Sequence, residues 1–154
     1  MRLLKNNKGI SLVEILVSVG IMSVAIGSSF QATSYLLQLN ELNDNITPVM
    51  NSLEGIRDEI KNVPFDDISP NYHNTQFTLN ELTNKGVPNL GTITVDLTEP
   101  SFLLKFRIVV CWRQGNRMIG EDANLNGVLD SGEDTNLNGL IDSPCAMETA
   151  VIFR

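Results

Sequence analysis

The chain has 154 residues, a length that favours one domain. Lys and Arg total 11 against 18 Asp and Glu, giving a formal charge of -7 and a pI of about 4.6, which excludes a nucleic-acid binder because little is present to neutralise phosphates. Hydrophobic residues make up 42%, enough for a core, yet a large share of them sits in one block near the N-terminus.

Residues 1–9, MRLLKNNKG, form a basic leader with Arg2, Lys5, Lys8 and no acid. Residues 10–30, ISLVEILVSVGIMSVAIGSSF, carry Glu14 as their single charge. At a helical rise of roughly 1.5 Å per residue, about 20 such residues cross a hydrocarbon core of about 30 Å. After Lys8 the next basic residue is Arg57, so the charge distribution places the N-terminus in the cytoplasm and the remainder outside. An ordinary secretory signal cut after Gly27 is the alternative, and it makes the chain a secreted binding module. Glu14 argues against that alternative, because a carboxylate at membrane depth costs about 2.5 to 3.5 kcal/mol and needs a partner or a task.

Lys8-Gly9-Ile10-Ser11-Leu12-Val13-Glu14, followed by an apolar helix, resembles the cleavage and methylation signal of type IV prepilins and type II secretion pseudopilins. The resemblance implies that a prepilin peptidase cuts after Gly9 and methylates Ile10 as the new first residue. It also implies that Glu14 meets the α-amine of a neighbouring subunit during assembly. Physics agrees, since a carboxylate and an ammonium that are each costly in lipid attract strongly once paired. Ile10 stands where abundant major pilins usually have phenylalanine, which points to a minor pilin or pseudopilin.

Apolar residues then recur at Leu39, Leu42, Ile46, Val49, Leu53, Ile56, Ile60 and Val63 in steps of three and four, a helical stripe. The expected amphipathic continuation covers residues 31–63. Pro48 removes the hydrogen bond to the Asp44 carbonyl, but the stripe keeps its phase, so the reading is a kinked, continuous helix that Pro64 ends. One helix from about residue 10 to 62 would be roughly 80 Å long. A coiled coil is the competing reading, and the strand-like sequence that follows disfavours it.

Residues 64–154 form the expected globular head. The segment 65–90, rich in Asn, Asp, Pro and Thr, reads as a loop with short elements. Thr92–Leu97 alternates through Ile93, Val95 and Leu97. Phe102–Arg113 alternates with Leu104, Phe106, Ile108, Val110 and Trp112 on one face and Lys105, Arg107 and Arg113 on the other. Met147–Phe153 is a third candidate strand. Three amphipathic strands need an apolar cover, and the helix stripe supplies it. The expected fold class is therefore α+β: a long N-terminal helix, its first half membrane-spanning, packed on a small antiparallel sheet. The pilin resemblance implies the same order.

Between the last two strands, residues 121–145 hold a tandem acidic repeat. DANLNGVLDSGE places Asp122, Asn124, Asn126, Gly127, Asp130 and Glu133 at positions 1, 3, 5, 6, 9 and 12 of a twelve-residue loop. DTNLNGLIDSPC repeats it with Asp134, Asn136, Asn138, Gly139 and Asp142. Oxygen donors on alternate residues can converge on a hard cation, with the carbonyls of Val128 and Leu140 as further ligands, so one or two calcium ions are the expected cofactor. The spacing resembles EF-hand loops without their flanking helices, and stacked thrombospondin type 3 loops are a closer analogy. Cys145 at position 12 leaves the second site short of one ligand unless Glu148 or an acid of the first loop supplies it. No basic residue occurs between Arg117 and Arg154, so the cluster should repel itself without a cation. Plain Asn-Gly turns are the competing reading.

Cys111 and Cys145 bracket the repeat. Outside the cytoplasm they can pair, and closing that loop would contribute roughly 3 to 4 kcal/mol in the chain-entropy model; the alternative is two buried thiols. Many pilins close a C-terminal loop in this way, so the resemblance implies the bridge. The sole histidine, His73, reads as a surface residue. No Ser/His/Asp set, phosphate loop or zinc spacing occurs, so an enzyme is not expected. The expected partners are a prepilin peptidase, other pilin or pseudopilin subunits and the inner membrane.

Overall fold

The structure is a computed structural model that describes residues 11–98 and 102–152. The described residues form, in order, α1 (Leu12–Lys61), α2 (Phe65–Tyr72), β1 (Thr75–Phe77), α3 (Asn80–Thr83), β2 (Asn89–Asp96), β3 (Leu103–Gln114), β4 (Arg117–Ile119) and β5 (Ala146–Ile152). Two compact units divide the chain, Met1–Glu41 and Leu42–Arg154.

In the first unit, the helix exposes nearly everything it carries. Leu12, Val13, Ile15, Leu16, Val17, Val19, Ile21, Met22, Val24, Ile26 and Phe30 all face outward. The best 18-residue window of α1 has a mean hydropathy of 1.9 and buries none of its residues. Several of its hydroxyls bond the helix's own backbone: Ser18 Oγ donates to Glu14 O at 2.7 Å, Ser23 to Val19 O at 2.7 Å, Ser29 to Ala25 O at 2.8 Å and Thr33 to Ser29 O at 2.9 Å. A helix that bonds these hydroxyls to its own backbone and turns a mostly apolar surface outward is suited to hydrocarbon.

The second unit is built on residues 42–61 of α1 and an all-antiparallel sheet. β3 is its centre. On one side β3 pairs β2 from Asn89↔Trp112 to Asp96↔Lys105, and β2 pairs the short β1. On its other side β3 pairs β5 along Leu103–Val109 and β4 along Trp112–Gln114. The stripe residues Val49, Leu53 and Ile60 are fully buried and join Leu104, Phe106, Ile108, Val110 and Trp112 in one core. Leu42, Ile46, Ile56 and Val63 flank it, half-buried. The expected face of β3 is thus the observed one.

The 65–90 segment, expected as a loop with short elements, holds two short helices and one short strand before β2 begins. Pro64 precedes α2, whose first turn carries Asp66 and Asp67, favourable charges at a helix N-terminus. Ile68 and Leu82 anchor the two short helices by complete burial. Asn89 holds the α3 region by accepting from Leu79 N at 2.7 Å and donating to Val87 O at 3.0 Å.

Candidate functional site

Two places carry chemistry. The first is the N-terminal motif, in which the expected cleavage point, Gly9 and Ile10, lies outside the described residues. Glu14 is in the first turn of α1 and is exposed, at the end where the helix dipole favours a carboxylate.

The second is the segment between β4 and β5, which contains neither helix nor strand and folds as two loops of the same build. In the first, Asp122 is buried and accepts from Asn126 N at 3.0 Å and Gly127 N at 2.8 Å. Asn124 and Asn126 turn their amide nitrogens onto Asp130 Oδ2 at 2.7 and 2.8 Å. Glu133 bridges the loop, accepting from Ala123 N and from Asp130 N, both at 3.0 Å. The second loop repeats these bonds: Asp134 accepts from Asn138 N and Gly139 N, and Asn136 and Asn138 donate to Asp142 Oδ2 at 2.5 and 2.6 Å. Gly127 and Gly139 have φ of +76° and +74°, and Leu125 and Leu137 two residues earlier also lie in the left-handed region at +57° and +60°.

Cys145 cannot play the part of Glu133, and the structure shows which residue does. Glu121 accepts from Thr135 N at 3.0 Å and from Asp142 N at 3.1 Å, the same two loop positions that Glu133 holds in the first copy. The bridging carboxylate comes from in front of the first loop, and Glu148 instead faces Arg107 at 3.2 Å. A sequence signal existed, because positions 121, 133 and 145 share one phase of the twelve-residue repeat and the first two are glutamates.

The cluster is not without a cation of its own. Arg107, from the exposed-face positions of β3, forms an ion pair between its Nη2 and Asp142 Oδ1. Arg113 Nη2 donates to Ala123 O at 3.2 Å, and Gln76 Nε2 donates to Asn126 O at 2.6 Å. The absence of Lys and Arg within the segment is therefore compensated from the sheet beneath it. The chemistry of the donor set, all oxygen, suits a hard cation. Among the described residues, however, no three His, Cys, Asp or Glu side chains are grouped to hold a metal, and the amide nitrogens of the Asn residues lie on Asp130 Oδ2 and Asp142 Oδ2.

At the base of the segment, Glu121 N donates to Asp142 O at 2.8 Å and Val110 N to Cys145 O at 3.1 Å. That last bond sets Cys145 beside β3 and one residue off Cys111, but in this structure the two are separate, buried thiols. Burial pushes both up to about 11; for Cys145 the neighbouring Cys111 adds to the effect. His73, expected as a surface residue, is half-buried, and its Nδ1 accepts from Val95 N at 3.2 Å where β1 no longer covers β2.

Residues 4–30 match the family model described as the prokaryotic N-terminal methylation motif. No curated protein and no solved structure matches the chain. The protein thus carries a prokaryotic N-terminal methylation motif on a long apolar helix, joined to an α+β head.

Proposed function

We propose that the protein is a minor pilin or pseudopilin, a structural subunit of a type IV pilus or type II secretion-like filament. A prepilin peptidase cuts after Gly9 and methylates Ile10, the N-terminus starts in the cytoplasm, and the head lies in the periplasm or beyond. Assembly runs through the N-terminal helix, with Glu14 pairing the α-amine of a neighbouring subunit. The observation that carries this reading is the methylation motif at residues 4–30 running into a helix whose apolar side chains are exposed. The test is the intact mass of the protein from membranes of its native host. A chain beginning at Ile10 with one added methyl group is expected; a soluble chain beginning after Gly27 would overturn it.

In this reading the head is closed by a Cys111–Cys145 disulfide formed outside the cytoplasm and rigidified by calcium. The donors are Asp122, Asn124, Asn126, Val128 O, Asp130 and Glu133 in the first loop. The second uses Asp134, Asn136, Asn138, Leu140 O and Asp142, with Glu121 completing the set. Bound calcium would add positive charge to a cluster in which Arg107 pairs Asp142 alone, leaving Asp122, Asp130, Glu133 and Asp134 with hydrogen-bond donors only. The identical build of the two loops supports the assignment, since plain turns need no bridging glutamate twice. The full chain in detergent should melt higher with calcium than with chelator, and Glu121→Gln should remove part of that difference. Equal melting of the parent in both conditions defeats the metal assignment and leaves the filament assignment standing.

A further inference from the structure

Pro48 has no amide hydrogen, so the carbonyl of Asp44, four residues earlier, loses its helical donor. α1 nevertheless runs through this point without interruption. A replacement donor arrives from outside the helix: Lys85 Nζ donates to Asp44 O at 3.1 Å and to Oδ1 of the buried Asn45 at 2.9 Å.

The lysine is held where it must be. It follows α3 at a turn in which Gly86 has φ of +72°, with Gly86 N donating to Thr83 O at 2.9 Å and Val87 N to Leu82 O at 3.0 Å. These paired bonds are those of a Schellman helix end, which only a residue free to adopt positive φ closes cheaply. Leu82 is fully buried and Val87 packs on the core, so the turn is anchored to the head. An ammonium is suited to the task because its three donors can meet a carbonyl and a side-chain oxygen together, through charge-assisted bonds stronger than neutral ones.

We propose that Lys85 is a latch that keeps α1 closed across Pro48. Removing the ammonium, or neutralising it by acylation of Nζ, opens the helix locally around residues 44–52. The head thereby sets the integrity of the helix at Pro48, the position inside α1 that cannot bond its own preceding turn. No part of this depends on calcium or on filament assembly.

The test is amide hydrogen exchange on the full chain in detergent, with Lys85→Met, Pro48→Ala and the double variant. Lys85→Met should speed exchange over residues 45–52 by about tenfold, as expected for loss of a hydrogen bond to a charged group. In the Pro48→Ala background the backbone regains an N–H that can reach Asp44 O, so the same lysine substitution should change that segment by less than about twofold. Unchanged exchange in Lys85→Met overturns the latch. So does an equal effect in both backgrounds, or an acceleration spread evenly over the head.

Discussion

A Cβ on Gly91 would run into the Phe77 ring, because Phe77 of β1 is its cross-strand partner and lays that ring over the bare backbone. Gly91→Ala must therefore displace the ring or the strand, and should cost about 1 to 3 kcal/mol in a denaturant titration. Nothing in the spacing of Phe77 and Gly91 announces that pairing, since β1 is three residues long and reads as loop. The cysteines give a second prediction. Both thiols are raised from 9.0 to about 11, chiefly by burial, so the folded chain keeps protons that the unfolded chain releases. With reductant present, their stabilising contribution is whole below about pH 9 and is lost as pH rises toward 11. The melting temperature should fall more steeply across that range in the parent than in a Cys111→Ala/Cys145→Ala variant. Glu121 shows the limit of reading residues singly, for its bridging role depends on a fold that returns Asp142 to the start of the segment, where Glu121 N bonds Asp142 O.

The helix and the long strands were legible because each has one face and a fixed period. The stripe from Leu42 to Val63 and the alternation from Leu104 to Trp112 meet in one core, as their periods required. Leu53→Ala should accordingly cost about 2 to 5 kcal/mol, whereas Leu36→Ala, on the exposed part of α1, should stay within about 0.5 kcal/mol in detergent. On the proposed filament role, Glu14→Ala should leave processing largely intact and lower incorporation into filaments, measured as the ratio of filament-bound to membrane-bound protein. Normal incorporation would remove the pairing role from that carboxylate. What the alternation missed is the second face of β3. Val109 and Cys111 are buried as well, Cys111 with its sulfur against Gly120 and the Asp142 carbonyl, because the acidic segment folds back over that end of the sheet. A period of two reports one covered face, and a loop that covers the other leaves no periodic trace.

At the scale of the whole chain, the expected behaviour is that of an integral membrane protein: it should stay in the membrane fraction after an alkaline carbonate wash and leave it only with detergent. The apolar block suits the chain to that behaviour by length and composition, since its side chains are exposed. The sequence by itself likewise determined the methylation motif, the continuous helix, the strands β2, β3 and β5 to within a few residues, and the doubling of the acidic loop. Each of these is a local pattern, and local patterns follow from neighbours along the chain. Only the tertiary structure decided that Arg107 neutralises Asp142, that Glu121 replaces Cys145 as the bridge of the second loop, that His73 caps the open edge of β2 and that Lys85 covers the gap left by Pro48. In each case the partners are separated by more than a helical turn or a hairpin. Orphaned charges and backbone groups must be satisfied by whatever the fold brings near, and that choice is made in space.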